Sequence, residues 1–70
     1  MTVSWPRYTA AIIRILAKGH GMSADDAMEC INRQHPTVWW HYGRNTPEAA
    51  VAAELHGIVE HDRKRRREAL

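Results

Sequence analysis

The chain has a single cysteine, Cys30, and no phenylalanine among its 70 residues. A lone cysteine excludes an intrachain disulfide, and with it the disulfide-stapled scaffolds of many small secreted domains; it fits a reducing cytosol better. Long apolar runs are missing too. Pro6, Arg7, Arg14 and Lys18 interrupt the first twenty residues, so neither a signal peptide nor a membrane-spanning helix is expected there. There is no glycine-rich phosphate loop and no paired-ligand metal motif: His56 and His61 are five residues apart, on opposite sides of a helix, and Cys30, His35 and His41 straddle a proline. Cys30 has no Asn or Asp partner at a recognisable spacing, so an inert, partly buried thiol is expected rather than a nucleophile. These absences predict a cytoplasmic, non-enzymatic domain that needs no metal, cofactor or membrane.

What is present must stabilise a small fold. A chain this short buries only about 60% of the surface its unfolded form exposes, so helix packing or self-association has to compensate. The charge is mildly positive, with ten Lys and Arg against eight Asp and Glu, a formal net charge of +2 and a pI near 9.1. Its distribution says more than its sum. Residues Arg63, Lys64, Arg65, Arg66 and Arg67 are consecutive bases, whereas Asp25, Asp26 and Glu29 form an acidic group with no base among residues 24–29.

Hydrophobic periodicity predicts an all-α fold: three helices, one further short helix, and a charged C-terminal arm. The first helix is expected from about Trp5 to Lys18, with Pro6 in the first turn, Trp5, Tyr8, Ile12, Ile15 and Leu16 on one face, and Gly19 as the cap. On its other side Arg7, Arg14 and Lys18 fall within roughly 40° of one another, at about 100° per residue. A second helix opens with Ser23 as N-cap and Asp25 and Asp26 in the first turn; Ala24, Ala27, Met28 and Ile31 form its apolar stripe, Glu29 can pair with Arg33, and it should end by Gln34 because His35 precedes Pro36.

Residues 37–43 alternate like a strand at Val38, Trp40 and Tyr42, yet Val38 and Tyr42 also match helical spacing. With no other strand to pair with, a short helix is expected; a strand would have to pair across a dimer. The last helix starts with Thr46 as N-cap and Pro47 at its first position, and buries Val51, Leu55, Ile58 and Val59. Gly57 is a candidate close crossing. Beyond Val59 no apolar residue occurs before Ala69, so residues 61–70 are expected to leave the domain of residues 1–60 as an arm that frays towards Leu70, with Glu60–Lys64 and Asp62–Arg66 pairs along it.

Two functional readings follow. In the first, Ala24 to Arg33, a turn at Gln34-His35-Pro36 and Thr37 to Arg44 resemble a helix-turn-helix. Thr37-Val38 is similar to its docking pair, Ala27 and Ile31 supply apolar contacts, and Asn32 is placed to adopt a left-handed turn conformation. That resemblance implies a small regulator of bacterial or phage type binding double-stranded DNA. Thr37, His41, Arg44 and Asn45 would face the groove, while Arg7, Arg14, Lys18 and Arg63, Lys64, Arg65, Arg66 and Arg67 touch phosphates. An alternative register, with the turn at Gly19 to Met22 and the reader at Ala24 to Cys30, has better apolar spacing, but its outward Asp25, Asp26 and Glu29 would repel phosphate.

The second reading is a protein-interaction module, a small dimer or an inhibitor, which binds its partner through Asp25, Asp26, Glu29 and an exposed tryptophan. Three of the five aromatic residues (three Trp, two Tyr) are Trp39, Trp40 and Tyr42. Adjacent residues on a helix point about 100° apart, so one of Trp39 and Trp40 is expected to pack inward on the first and last helices and the other to remain a surface anchor or a stacking platform for bases.

Overall fold

The computed structural model describes residues 3–69, with side chains from 3 to 67, and is all-α: α1 (Trp5–Gly19), α2 (Ala24–Arg33), α3 (His35–Gly43) and α4 (Glu48–Ala69), with no strand among the described residues. The ambiguous segment is therefore a helix, and it begins earlier than the proline implied. His35 is already its first residue. Gln34 alone (φ −102°, ψ 26°) bends the chain, and its carbonyl accepts from the Val38 N–H at 3.0 Å, closing the first turn around Pro36, whose missing N–H falls where no intrahelical partner is needed.

Helices α1 and α4 lie side by side and run the same way: Tyr8 reaches Thr46 near their starts, and His20 stacks on His56 further along. α2 packs across α1, and α3 closes the end of the bundle near the start of α1. The buried set is Tyr8, Ile12 and Leu16 from α1, Ala27, Cys30 and Ile31 from α2, Val38 from α3, and Val51, Ala52 and Leu55 from α4. These are the three- and four-residue steps of helical faces directed at one core. Two expectations for α2 are corrected. Ala24 and Met28 are exposed, because centring the buried face on Ala27, Cys30 and Ile31 turns both outward. Ile58 and Val59 are only partly covered.

Past Val59 every described side chain of α4 is exposed. At about 1.5 Å per residue, the 22-residue α4 outruns the 15-residue α1 by roughly 10 Å. The long axis of the molecule reaches 47 Å against 22 and 17 Å for the others. The expected arm is thus a continuation of α4; fraying at Leu70 lies outside the described residues. Along it Glu60 pairs with Arg63 at 3.5 Å and with His56 at 3.6 Å, in place of the expected Lys64, and no Asp62–Arg66 pair forms among the described residues. Glu29 and Arg33 do pair, at 2.6 Å, and both are well exposed, so the contribution is a few tenths of a kcal/mol.

The turns explain two glycines. Gly19 is the last helical residue of α1, and the left-handed conformation falls on Gly21 (φ 68°), which lets the N–H groups of His20 and Met22 both reach the Leu16 carbonyl. Open space surrounds a Cβ at Gly21, so Gly21→Ala should destabilise by backbone strain alone, about 1 kcal/mol. Gly57 is not a close crossing: it is exposed, with nothing within 4 Å of an added Cβ. Gly57→Ala should therefore stabilise α4 by nearly 1 kcal/mol. Opposite shifts in urea midpoint for the two variants would check the pair; a shift of the same sign would contradict it. The other left-handed residue is Asn45 (φ 58°), between α3 and α4, and not Asn32 as expected. Asparagine tolerates this region better than most residues.

Polar ties lock the α3–α4 corner. Tyr8 donates to the Thr46 carbonyl (2.7 Å), Tyr42 donates to the Val3 carbonyl (2.8 Å), and the Thr46 N–H reaches the His41 carbonyl (3.0 Å). The Thr46 hydroxyl, expected to cap α4, is engaged by His41 Nδ1 at 3.0 Å, and the Pro47 carbonyl closes the first turn of α4 by accepting from Ala50 and Val51. Ser23 caps α2 as expected, accepting from the Asp26 N–H at 3.1 Å.

Burial pushes the Tyr8 hydroxyl above its usual range, and the charge of Glu48 pushes it further; burial likewise raises the Cys30 thiol, against a smaller opposing pull from Arg33. Both groups hold their protons more tightly when folded, so their stabilising contribution is complete below the unfolded values and is lost as pH rises past them. The contribution of these two groups to the urea midpoint should accordingly be constant at neutral pH and below, and fall above about pH 9. In Tyr8→Phe the fall near pH 10 should shrink, as read by tyrosinate absorbance and circular dichroism together.

Candidate functional site

Val38 sets the orientation of α3. With Val38 fully buried and Tyr42, four residues on, turned the same way, Trp39 is rotated to one flank and Trp40 to the outward side, at about 100° per residue. Both indoles are consequently more than half exposed, Trp39 at 55% and Trp40 at 56%. The expectation that one of them enters the core is corrected. The inward place beside α3 is taken by Trp5 of α1, whose ring meets Trp39, Tyr42 and His35 edge-on at centroid separations of 5.1, 5.3 and 5.4 Å.

The two tryptophans are held differently. Trp39 is braced by Trp5, by Tyr42 at 5.6 Å and by the nearly parallel ring of His35 at 6.4 Å. Trp5, Trp39 and Tyr42 touch one another, so they form a closed cluster with no ring-walled cage for a cationic ligand. Trp40 meets no other Trp or Tyr ring among the described residues: the Arg44 guanidinium lies 4.6 Å from its ring centre, and His41 meets it edge-on at 4.9 Å. Arg44 is one turn beyond Trp40, which is why the two coincide on the outward face. That face therefore offers an indole and a guanidinium already stacked together.

The structure divides the sequence-derived DNA set. Arg7, Arg14 and Lys18 are exposed on α1, and Arg63, Lys64, Arg65, Arg66 and Arg67 on the extension of α4. On α3 and its following turn Arg44 and Asn45 are exposed and Thr37 is half-buried. His41 departs from its expected groove-facing role. Its side chain is 15% exposed; Nε2 lies 2.5 Å from the Glu54 carboxylate and Nδ1 3.0 Å from the Thr46 hydroxyl. It clasps α3 to α4. The i to i+13 separation of His41 and Glu54 carries no local sequence signal, so this clasp could not be read from spacing.

The turn geometry also differs from the expected motif. Gln34 alone separates α2 from α3, whereas the longer turn, residues 20–23 with left-handed Gly21, joins α1 to α2. The helix following that longer turn presents Asp25, Asp26 and Glu29, all exposed, to solvent. Val38 docks into the core as its resemblance to the motif implied.

A second concave feature lies between α2 and the far half of α4. This open cleft of about 420 Å³ has Met22, Cys30, Ile58 and Val59 as its apolar lining, Asp26, Glu29 and Arg33 on the α2 side and Asp62, Arg63 and Arg66 on the α4 side. Its signal in the sequence was the mismatch in length between the buried stripe of α4 and the helix itself. Elsewhere His20 and His56 stack at 4.5 Å, but among the described residues no three His, Cys, Asp or Glu side chains converge as metal ligands would. Among those residues no helix is long and apolar enough to cross a membrane. Compared with protein-family models, with curated proteins and with solved structures, the chain matches none.

Proposed function

We propose that this chain is a protein-interaction module, without catalytic activity, whose contact surface is the outward face of α3: Trp40 stacked with Arg44, flanked by Trp39. The observation that carries the reading is the exposure of both indoles, 55% and 56%, on one nine-residue helix. A small domain gains stability by burying tryptophan, and leaving two in water forgoes that gain. Tryptophan and arginine are the residue types most enriched where binding energy concentrates. The bracing of Trp39 by Trp5 and Tyr42, and of Trp40 by Arg44, reduces the conformational entropy a partner must remove. The lone cysteine fits action in a reducing cytoplasm. Affinity capture from cell extract with the tagged chain and with its Trp40→Ala variant tests the reading. Proteins retained by the wild type and lost from a folded variant support it; identical retained sets would overturn it.

Binding of double-stranded DNA is the second reading, favoured by one observation: every described basic side chain of the arm, Arg63 to Arg67, is exposed, as are Arg7, Arg14 and Lys18. Such contacts serve phosphates and carry no sequence information, so affinity would fall steeply with salt. Arg44, Asn45 and Thr37 remain as base-reading candidates; His41 is committed to Thr46 and Glu54. Fluorescence anisotropy with duplex DNA at two salt concentrations decides: weak binding indifferent to salt would remove this reading.

A further inference from the structure

The cleft between α2 and α4 has the charge layout of half an interface. Its α2 side carries Asp26 and Glu29 against Arg33, with Asp25 close by in the same turn; its α4 side carries Arg63 and Arg66 against Asp62, so the first wall is net acidic and the second net basic. Among the described residues no ion pair crosses the cleft. Glu29 turns back to Arg33 on its own helix, Arg63 to Glu60 on its own, and among the described residues neither Asp26 nor Arg66 meets an ion-pair partner. Beneath them lie Met22, Cys30, Ile58 and Val59, the place where the buried stripe of α4 runs on after α1 has ended. Acidic and basic walls therefore face the same solvent across an apolar floor, without meeting.

We infer that this cleft is a self-association surface, and that its occupant is the α2–α4 face of a second copy of this chain. Symmetry selects the arrangement. A two-fold interface presents the same patch twice, so the patch must complement itself. With the axis running along the cleft, each copy's α2 wall is laid on the other's α4 wall: Asp26 and Glu29 meet the second copy's Arg63 and Arg66, and the reverse contact forms at the same time. With the axis across the cleft, acid meets acid and base meets base, which is unfavourable. The first arrangement also lays floor on floor, covering Ile58 and Val59 and giving the exposed turns of α4 a surface that their own core does not provide. Association of this kind is one of the ways a domain of this size compensates for a small core. Lys64 and Arg67 line the other side of α4, with His61, and stay free in the dimer.

The inference is independent of the α3 reading, because it uses a different face and its test reads mass, not capture. Sedimentation equilibrium of the wild-type chain should show a monomer–dimer equilibrium at concentrations up to about 100 µM. Two charge-reversed chains then probe the pairing: one with Asp26→Lys and Glu29→Lys, the other with Arg63→Glu and Arg66→Glu. In each, both walls carry the same net sign, so each alone should be monomeric, its dissociation constant raised about tenfold or more. Mixed together, each basic wall meets an acidic one, and the dimer should return as a heterodimer. All substituted positions are at the surface, and circular dichroism confirms that each variant is folded. A wild-type chain that remains monomeric overturns the proposal. So does a dimer that survives either reversal, or a mixture no heavier than its components. A dimer lost instead in Trp39→Ala with Trp40→Ala would assign self-association to α3 and equally refute the cleft.

Discussion

Leu55→Ala should lower the free energy of unfolding by about 3 kcal/mol, the middle of the range for removing a fully buried leucine from a close-packed core. Leu55 has no exposed surface and lies with Ile12, Leu16, Val38 and Val51 among the most deeply buried side chains. The cost has two parts: lost transfer free energy of the deleted carbons, and a cavity that the surrounding helices close only partly. In a domain whose single core supplies only about 3–5 kcal/mol, this is most of the stability available. The variant should therefore melt some 12–24 °C lower, taking about 4–8 °C per kcal/mol for a domain of this length. Urea denaturation followed by circular dichroism measures it. Met28→Ala on α2 is the control, since Met28 is 51% exposed and should shift stability by less than about 0.5 kcal/mol. A loss below about 1 kcal/mol at Leu55 would mean that α1 and α4 do not pack as described.

Trp40→Ala should weaken the interaction made by the α3 face by about 30-fold or more, the equivalent of a hot-spot loss of at least 2 kcal/mol, and leave the melting temperature unchanged. The separation of effects follows from packing. Trp40 is more than half exposed, with Arg44 and His41 against its ring, so its removal opens no buried cavity. Trp39→Ala should differ, because Trp39 also packs on Trp5 and Tyr42; its loss should cost about 0.5–1.5 kcal/mol of stability as well as affinity. Calorimetry on the purified complex, alongside thermal melts of the free variants, reads both quantities. If Trp40→Ala bound as tightly as the wild type, the face would carry no partner, and the exposed arm would become the leading contact surface.

Local rules were enough wherever a signal lay within a few residues. Ser23 with Asp26, the Glu29–Arg33 pair, the 8-12-16 spacing of Tyr8, Ile12 and Leu16, and the polar run after Val59 all take the form their spacing implied. Misassignments cluster where two local rules competed or where a distant residue intervened. Pro36 argued for a gap before α3, but a carbonyl from Gln34 was sufficient to close the turn. Thr46 had the chemistry of an N-cap, yet His41 claimed its hydroxyl. Met28 matched the stripe of α2 by count, but the centre of the buried face moved to include Cys30.

What the sequence by itself determined is the helical class, the arm and the segregation of its charges, because periodicity, capping chemistry and charge runs act over one or two turns. Only the tertiary structure decided that Trp39 and Trp40 both stand in solvent, that His41 is withdrawn into a clasp with Glu54, and that the acidic and basic groups share one cleft. Each of those depends on how far a helix is rotated about its own axis, and that rotation is settled by the packing of Val38, Trp5 and Leu55 against elements remote in the chain.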